Sequence, residues 1–197
     1  LVSAAFPEQV MAVINGGPDV AAAFSAKPFD HILFTGSTNV GRLVMKAAAE
    51  NLTPVTLELG GKSPTIIGPE ASMDMAAERL GFTKAVNAGQ TCVCTNRIFV
   101  HEKVIEAFTD KLMAEVKNSA VGDGLTGGVE IGPRISQQAC DDVLKLIRAA
   151  EKRGANTVLG GQKDVAGENY LQPTIMTGVK NDMPIASNEI FGPVSAI

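Results

Sequence analysis

HILFTGSTNVGRLVMKAAAENLTPVTLELGGK, residues 31–62, decides how this chain is read. His31–Thr35 is a short apolar run that Gly36-Ser37-Thr38 breaks. An Ala-rich stretch comes next, Val40–Glu50, with the residues of a helix. Asn51-Leu52-Thr53-Pro54 stops it, because Pro54 disfavours helix in the residue before it. Val55–Leu59 is a second apolar run, and Gly60-Gly61 ends it. Strand, helix, strand with short breaks is the signature of a parallel α/β unit.

Working outward, Gln9–Ile14 alternates loosely and predicts another buried strand, stopped by Asn15-Gly16-Gly17-Pro18; Asp19–Ala26 predicts a small helix. Beyond the glycine pair, Ser63–Gly68 predicts a strand, and Ser72 can cap a long helix from about Met73 to Gly89. Ile98–Val100 is short and β-like. Lys103–Asn118 has Val104, Ile105, Phe108, Leu112 and Val116 near helical spacing. Ser136 can cap a further helix to about Arg153, whose apolar face is Val143, Leu144, Ile147 and Ala150; Gly154 stops it. Thr157–Leu159, Leu171 and Thr174–Met176 are strand candidates, and 189–194 reads as a tight loop. Gly60-Gly61 is the candidate domain boundary.

Composition bounds the function. The 197 residues carry a net charge of −4 and 45% hydrophobic residues, enough for a packed core. No basic run points to nucleic acid or to an anionic membrane surface. No apolar run approaches the roughly 18 residues of a membrane span. The first residues, Leu-Val-Ser-Ala-Ala-Phe-Pro, lack the basic and apolar regions of a signal peptide. Three cysteines, two in Cys92-Val93-Cys94, do not make a disulfide framework, and Cys-x-Cys without a matching pair is a weak metal motif. A reducing, cytoplasmic compartment and no metal are the expectations.

Two residues stand out chemically. Glu58 lies at the end of an apolar strand before two glycines, and Cys92 closes Asn-Ala-Gly-Gln-Thr-Cys (87–92). A thiolate can attack a carbonyl, and a carboxylate can activate the water that releases the product. Each has a plainer reading: a cysteine is often a small core residue, and a glutamate at a strand end is often solvated, a cap or half of an ion pair. His31 and His101 lie in separate strand-like segments, so a Cys-His protease is disfavoured. Gly36-Ser37-Thr38-Asn39-Val40-Gly41 sits where a strand yields to a helix. That place suits a phosphate, although a plain turn with a Ser/Thr cap explains it as well.

The Glu58 and Cys92 segments resemble the two signature motifs of the aldehyde dehydrogenase superfamily. Phe-Thr-Gly-Ser-Thr-Asn-Val-Gly (34–41), Ile-Gly-Pro-Arg-Ile (131–135) and Glu-Ile-Phe-Gly-Pro-Val (189–194) add to the likeness, in the family's order. The Cys-Val-Cys triplet is similar to that of some succinate-semialdehyde dehydrogenases, and the flavour is that of semialdehyde or aromatic-aldehyde members. The resemblance implies an α/β fold. Residues 1–60 would be the C-terminal part of a Rossmann-like NAD(P)-binding domain, and residues 61–197 most of a catalytic domain truncated at its C-terminal end.

The resemblance also implies roles. Cys92 would be the nucleophile and Glu58 the base for thioester hydrolysis. Gly36, Ser37, Thr38, Gly41, Leu59, Glu189 and Phe191 would contact NAD or NADP, with Ser37 near the phosphates, Glu189 on the nicotinamide ribose and Phe191 beside the nicotinamide. The Cys92 N–H could supply one oxyanion donor; the family's second donor, an Asn side chain, belongs to a segment upstream of Leu1. Asn87 and Lys62 would support loop geometry, Arg97 would pair locally, Cys140 would pack, and Cys92–Cys94 could form a reversible disulfide. The expected partner is a small aldehyde. The full-length enzyme would be a homo-oligomer, with neither nucleic acid nor membrane as a partner. Family members are more than twice this long, so an internal fragment is expected. The alternative reading of the chain by itself is a catalytically incompetent α/β module that folds or oligomerises.

Overall fold

A computed structural model describes residues 1–197. It divides into two compact units, Leu1–Gly60 and Gly61–Ile197.

In the first unit, helix α1 (Val2–Ala5) leads through an irregular stretch to α2 (Pro18–Ser25). Strand β1 (Ile32–Thr35), helix α3 (Thr38–Ala49) and strand β2 (Val55–Glu58) come next. β1 and β2 pair in parallel, Ile32 opposite Val55 and Thr35 opposite Glu58, so 31–62 forms the strand–helix–strand unit its sequence predicts. Ser37 caps α3 by accepting from the Val40 N–H at 3.3 Å. The buried face of α3 is Gly41, Val44 and Ala48. Thr53 fixes the return loop, its hydroxyl donating to the Phe29 carbonyl at 3.0 Å.

The expected strand at Gln9–Ile14 is not formed. The segment is irregular, and Val10, Met11, Val13 and Ile14 are all exposed. A strand needs a ladder partner for its N–H and C=O groups, and β1 pairs only with β2. Alternation alone supplied no neighbour. Ala12 and Ile14 instead join Val20, Phe24, Phe29, Leu33, Leu43 and other side chains around an open apolar hollow of about 780 Å³.

The second unit begins with another parallel pair, β3 (Pro64–Ile67) and β4 (Arg97–Val100), joined through α4 (Met73–Ala85). Helix α5 (Ile105–Val116) packs against α4. Its residues Phe108, Leu112 and Val116 fall on one face and are buried with Ile67, Ala77, Leu80 and Ile98. Full burial of side chains of this size contributes roughly 1.5–3 kcal/mol each.

Helix α6 (Gln137–Glu151) is capped by Ser136, which accepts from Ala139 N–H at 3.1 Å. Cys140, Val143, Ile147 and Ala150 form its buried face, which makes Cys140 the packing residue the sequence predicts. The face covers a three-stranded sheet, β5 (Asn156–Leu159), β6 (Thr174–Thr177) and β7 (Val194–Ala196), with the short helix α7 (Pro184–Ser187) beside it. β6 lies between an antiparallel and a parallel neighbour. Leu171 makes an isolated bridge with Lys163 rather than a strand. The sequence did not single out β7, a three-residue strand directly after Pro193.

The long helix expected to reach Gly89 stops at Ala85. Val86–Gly89 is a 3-10 turn in which Asn87 and Ala88 are left-handed, at φ 49° and 53°. The Asn87 side chain holds the reversal, its Nδ2 donating to the Gln90 carbonyl at 3.0 Å. Asn87 and Gly89 are weak helix formers, and the chain turns sharply here and brings Cys92 to the surface.

Candidate active site

Cys92 sits just past this reversal, in a surface turn with a free thiol. Left-handed backbone at two non-glycine residues costs energy and persists only where surrounding bonds fix it, and several do. Gln90 donates from Nε2 to the carbonyls of Asn87 and Pro133, and its Oε1 accepts from the Ile135 N–H at 2.9 Å. The cysteine turn is thereby tied to the Ile-Gly-Pro-Arg-Ile segment. Gly89, at φ 70°, must be glycine: a Cβ there would lie 2.3 Å from the Gly192 carbonyl oxygen. A Cβ on Gly192 would in turn lie 2.3 Å from Arg134 Nη1. The 87–92 and 189–194 motifs are packed backbone to backbone.

Asn96 joins them further. It is 1% exposed. Its Nδ2 donates to the Cys94 carbonyl at 3.2 Å, and its Oδ1 accepts from the Ile190 N–H at 2.8 Å. The Oδ1 also accepts from Lys62 Nζ at 3.3 Å. Lys62 donates in addition to the carbonyls of Asn96, Ile185 and Asn188, the last at 2.6 Å. Lys62 therefore supports loop geometry. Burial, with help from Lys84 and Arg97, lowers its pKa from 10.5 to about 8.

The loop so held carries Glu189 and Phe191. Phe191 has φ 52°, a strained value for an aromatic residue, and its ring is partly exposed. Glu189 Oε1 is buried without a hydrogen-bond partner, an orphaned acceptor that a hydroxyl-bearing ligand would satisfy. Arg97 forms no ion pair: its Nη2 donates to Asn181 Oδ1 at 2.6 Å, 84 residues along the chain, and only the Phe99 ring, 5.3 Å from its guanidinium, is a local contact.

In the first unit, Gly36, Ser37, Thr38 and Gly41 gather at the start of α3. The Gly36 N–H donates to the Glu58 carbonyl at 3.0 Å, so the loop and the end of β2 are one piece. A Cβ on Gly41 would lie 2.9 Å from Leu59 Cδ2, so the glycine lets α3 close on Leu59. The Ser37 hydroxyl is engaged as the helix cap, while Glu58 is exposed. Within this unit, the N–H groups at the N-terminus of a twelve-residue helix and a small-residue loop are features that fit a phosphate. No group of three or more His, Cys, Asp or Glu side chains is arranged to hold a metal ion, and no helix is long and apolar enough to cross a membrane.

Sequence reasoning passed over Asn96, which the structure makes a hub. A polar residue between Cys94 and the apolar strand Arg97–Val100 was the available signal. It also passed over Lys84 and Arg134. Both are buried with unpartnered nitrogens, and burial lowers the pKa of each.

Residues 1–197 match the aldehyde dehydrogenase family. A mitochondrial benzaldehyde dehydrogenase of Antirrhinum majus is 42% identical over 98% of this chain and 37% of its own length. An NADP(+) succinate-semialdehyde dehydrogenase of Schizosaccharomyces pombe is 38% identical over 98% of this chain and 40% of its own. Among solved structures, succinate-semialdehyde dehydrogenase from Burkholderia pseudomallei superposes with a TM-score of 0.93 at 42% identity, over 98% of this chain and 41% of that one. A betaine aldehyde dehydrogenase variant from Staphylococcus aureus, in complex with NAD+, superposes with a TM-score of 0.91 at 30% identity, over 99% of this chain and 40% of that one. The chain thus spans about two fifths of the length of these relatives. With a family match that runs from its first residue to its last, and an α/β fold shared at that level of identity, the chain belongs to the aldehyde dehydrogenase family.

Proposed function

We propose that the protein carrying this chain oxidises an aldehyde to a carboxylic acid with NAD or NADP, with Cys92 as nucleophile and Glu58 as general base. The observation that carries the reading is the surface thiol of Cys92 on a strained turn, locked by Gln90 to the Pro133–Ile135 segment and by Asn96 to the loop that bears Glu189 and Phe191. The family membership makes aldehyde chemistry the natural assignment.

Residues 1–60 act as part of the cofactor domain and residues 61–197 as part of the catalytic domain. Gly36, Ser37, Thr38, Gly41 and Leu59 are assigned to binding the dinucleotide, as are Glu189 and Phe191, the last two to its nicotinamide end. The cofactor, when bound, supplies a hydride acceptor. Cys92 as thiolate forms a bond to the aldehyde carbon, and the oxygen becomes a thiohemiacetal oxyanion facing the Cys92 N–H. Oxidation leaves an acyl group on sulfur. Glu58 takes a proton from water, the hydroxide adds to the thioester carbon, and Cys92 departs as the carboxylic acid forms. A hydrolytic route is the one that glutamate at position 58 favours.

Cys92→Ala in the full-length protein tests this. Aldehyde-dependent reduction of the cofactor is expected to vanish. Retained turnover, with acyl groups found on Cys94, would overturn the assignment of the nucleophile.

A further inference from the structure

Lys62 Nζ lies against four oxygens. They are the carbonyls of Asn188 at 2.6 Å, Ile185 at 3.0 Å and Asn96 at 3.3 Å, and the side-chain Oδ1 of Asn96 at 3.3 Å. A lysine ammonium has three N–H donors, so the oxygens outnumber its protons and at least one proton is shared. No carboxylate joins them, since Lys62 enters none of the ion pairs. The cage is built of neutral oxygens from separate stretches of chain: Asn96 directly precedes β4, Ile185 lies in α7 and Asn188 just past it. Carbonyls at a helix end lack intrahelical partners. Convergent carbonyl oxygens are also what replaces the hydration shell of a bare monovalent cation in an ion-selective pore. Asn96 Oδ1 accepts the Ile190 N–H as well, at 2.8 Å, so the cage grips the chain on both sides of Glu189.

We propose that these four oxygens form a binding site for a primary ammonium ion, which the protein fills with its own tethered one. Charge holds the ion there, because four acceptors around three protons leave no fixed set of hydrogen bonds to satisfy. Lys62 brings that charge on a methylene stem, so the site is occupied without any free cation. Truncation to alanine removes everything from Cγ to Nζ and leaves the oxygens facing a gap the length of a propylammonium ion. Acceptors stripped of their donor are costly, and a free primary ammonium of that length restores the donor. A neutral side chain of similar length fills the gap without supplying the charge. The site stands on its own oxygens, whether or not Cys92 is a nucleophile.

Thermal unfolding of the full-length protein at pH 7, where Lys62 with its pKa of about 8 is protonated, tests this. Lys62→Ala should unfold at a lower midpoint than the parent, and propylammonium chloride should recover at least half of the loss. Tetramethylammonium chloride at the same concentration, which has no N–H and is wider, should recover none. In the parent and in Lys62→Met, whose stem fills the gap, the two salts should act alike. Equal recovery of Lys62→Ala in both salts, or a midpoint equal to the parent's without either, would overturn the proposal. If Lys62→Ala folds in neither salt, the parent decides. Under reductive methylation with formaldehyde and cyanoborohydride, Lys62 should stay unmodified while the exposed Lys103 and Lys152 are dimethylated, because dimethylation leaves one proton for four oxygens. Methylation of Lys62 as fast as Lys103 would overturn the proposal.

Discussion

The Ile190 N–H donates to Asn96 Oδ1 at 2.8 Å, across 94 residues of sequence. Ile190 stands between Glu189 and Phe191, and Asn96 is bonded to the Cys94 carbonyl. One amide therefore sets the distance between the cysteine turn and the loop proposed to receive the nicotinamide.

Asn96→Ala should cost on the order of 2 kcal/mol in unfolding free energy, because it strips acceptors from the Ile190 N–H and Lys62 Nζ and a donor from the Cys94 carbonyl. Urea unfolding of the residue 61–197 signal, with hydrogen exchange at Ile190 alongside, measures both effects. An unchanged midpoint with a protected Ile190 amide would show that Asn96 is not the tie.

Lys62 gives a pH dependence. Its folded-state pKa, about 8, lies below the unfolded value of 10.5. Between those values the unfolded chain holds more protons, so stability attributable to Lys62 should rise as pH increases from about 8 towards 10.5. Partial exposure of the group screens the effect. Unfolding curves for the chain and for Lys62→Met across that range should converge or cross in the sense that favours the parent at higher pH. Parallel curves would contradict the lowered pKa.

The sequence read well wherever a segment's own residues set its conformation. The strand–helix–strand of 31–62 and the Ser72 and Ser136 caps are such cases. So are the faces of α5 and α6, set by Phe108, Leu112, Val143 and Ile147. It misread Gln9–Ile14, because strand formation depends on a neighbour that no local pattern reveals. It ran α4 through to Gly89, because the turn at Asn87 and Ala88 is imposed by partners far along the chain, Pro133, Ile135 and Gly192. The burial of Asn96 and Lys84 was not read for the same reason: burial of a polar side chain is decided by distant elements.

Glu58→Gln in the full-length protein should slow release of the acid more than formation of the acyl-enzyme. The amide cannot accept the water's proton, while Cys92 keeps its thiol. Stopped-flow absorbance should show a burst of reduced cofactor that persists as the steady rate falls. A steady rate equal to that of the parent would rule out a general base at this position.

The 197-residue chain alone should bind NAD and NADP very weakly and show no aldehyde oxidation. Its first unit has two paired strands, and the apolar hollow beside them is open. The resemblance implies that the side-chain oxyanion donor is not among residues 1–197, and removing one such donor costs on the order of 10²–10³ in rate. Exposed Ile14, Leu33 and Leu43 favour self-association. Calorimetry and an absorbance assay with short aldehydes measure this, and micromolar affinity with steady turnover would contradict it.

Passage of the acyl group through Cys92, and its release by Glu58, can be measured directly. The experiment is mass spectrometry of the full-length Glu58→Gln protein, acid-quenched after mixing with aldehyde and oxidised cofactor. The prediction is one acyl group on the tryptic peptide Ala85–Arg97, localised to Cys92 by fragmentation. An acyl group on Cys94 or Cys140, or turnover with no adduct at any cysteine, would contradict it.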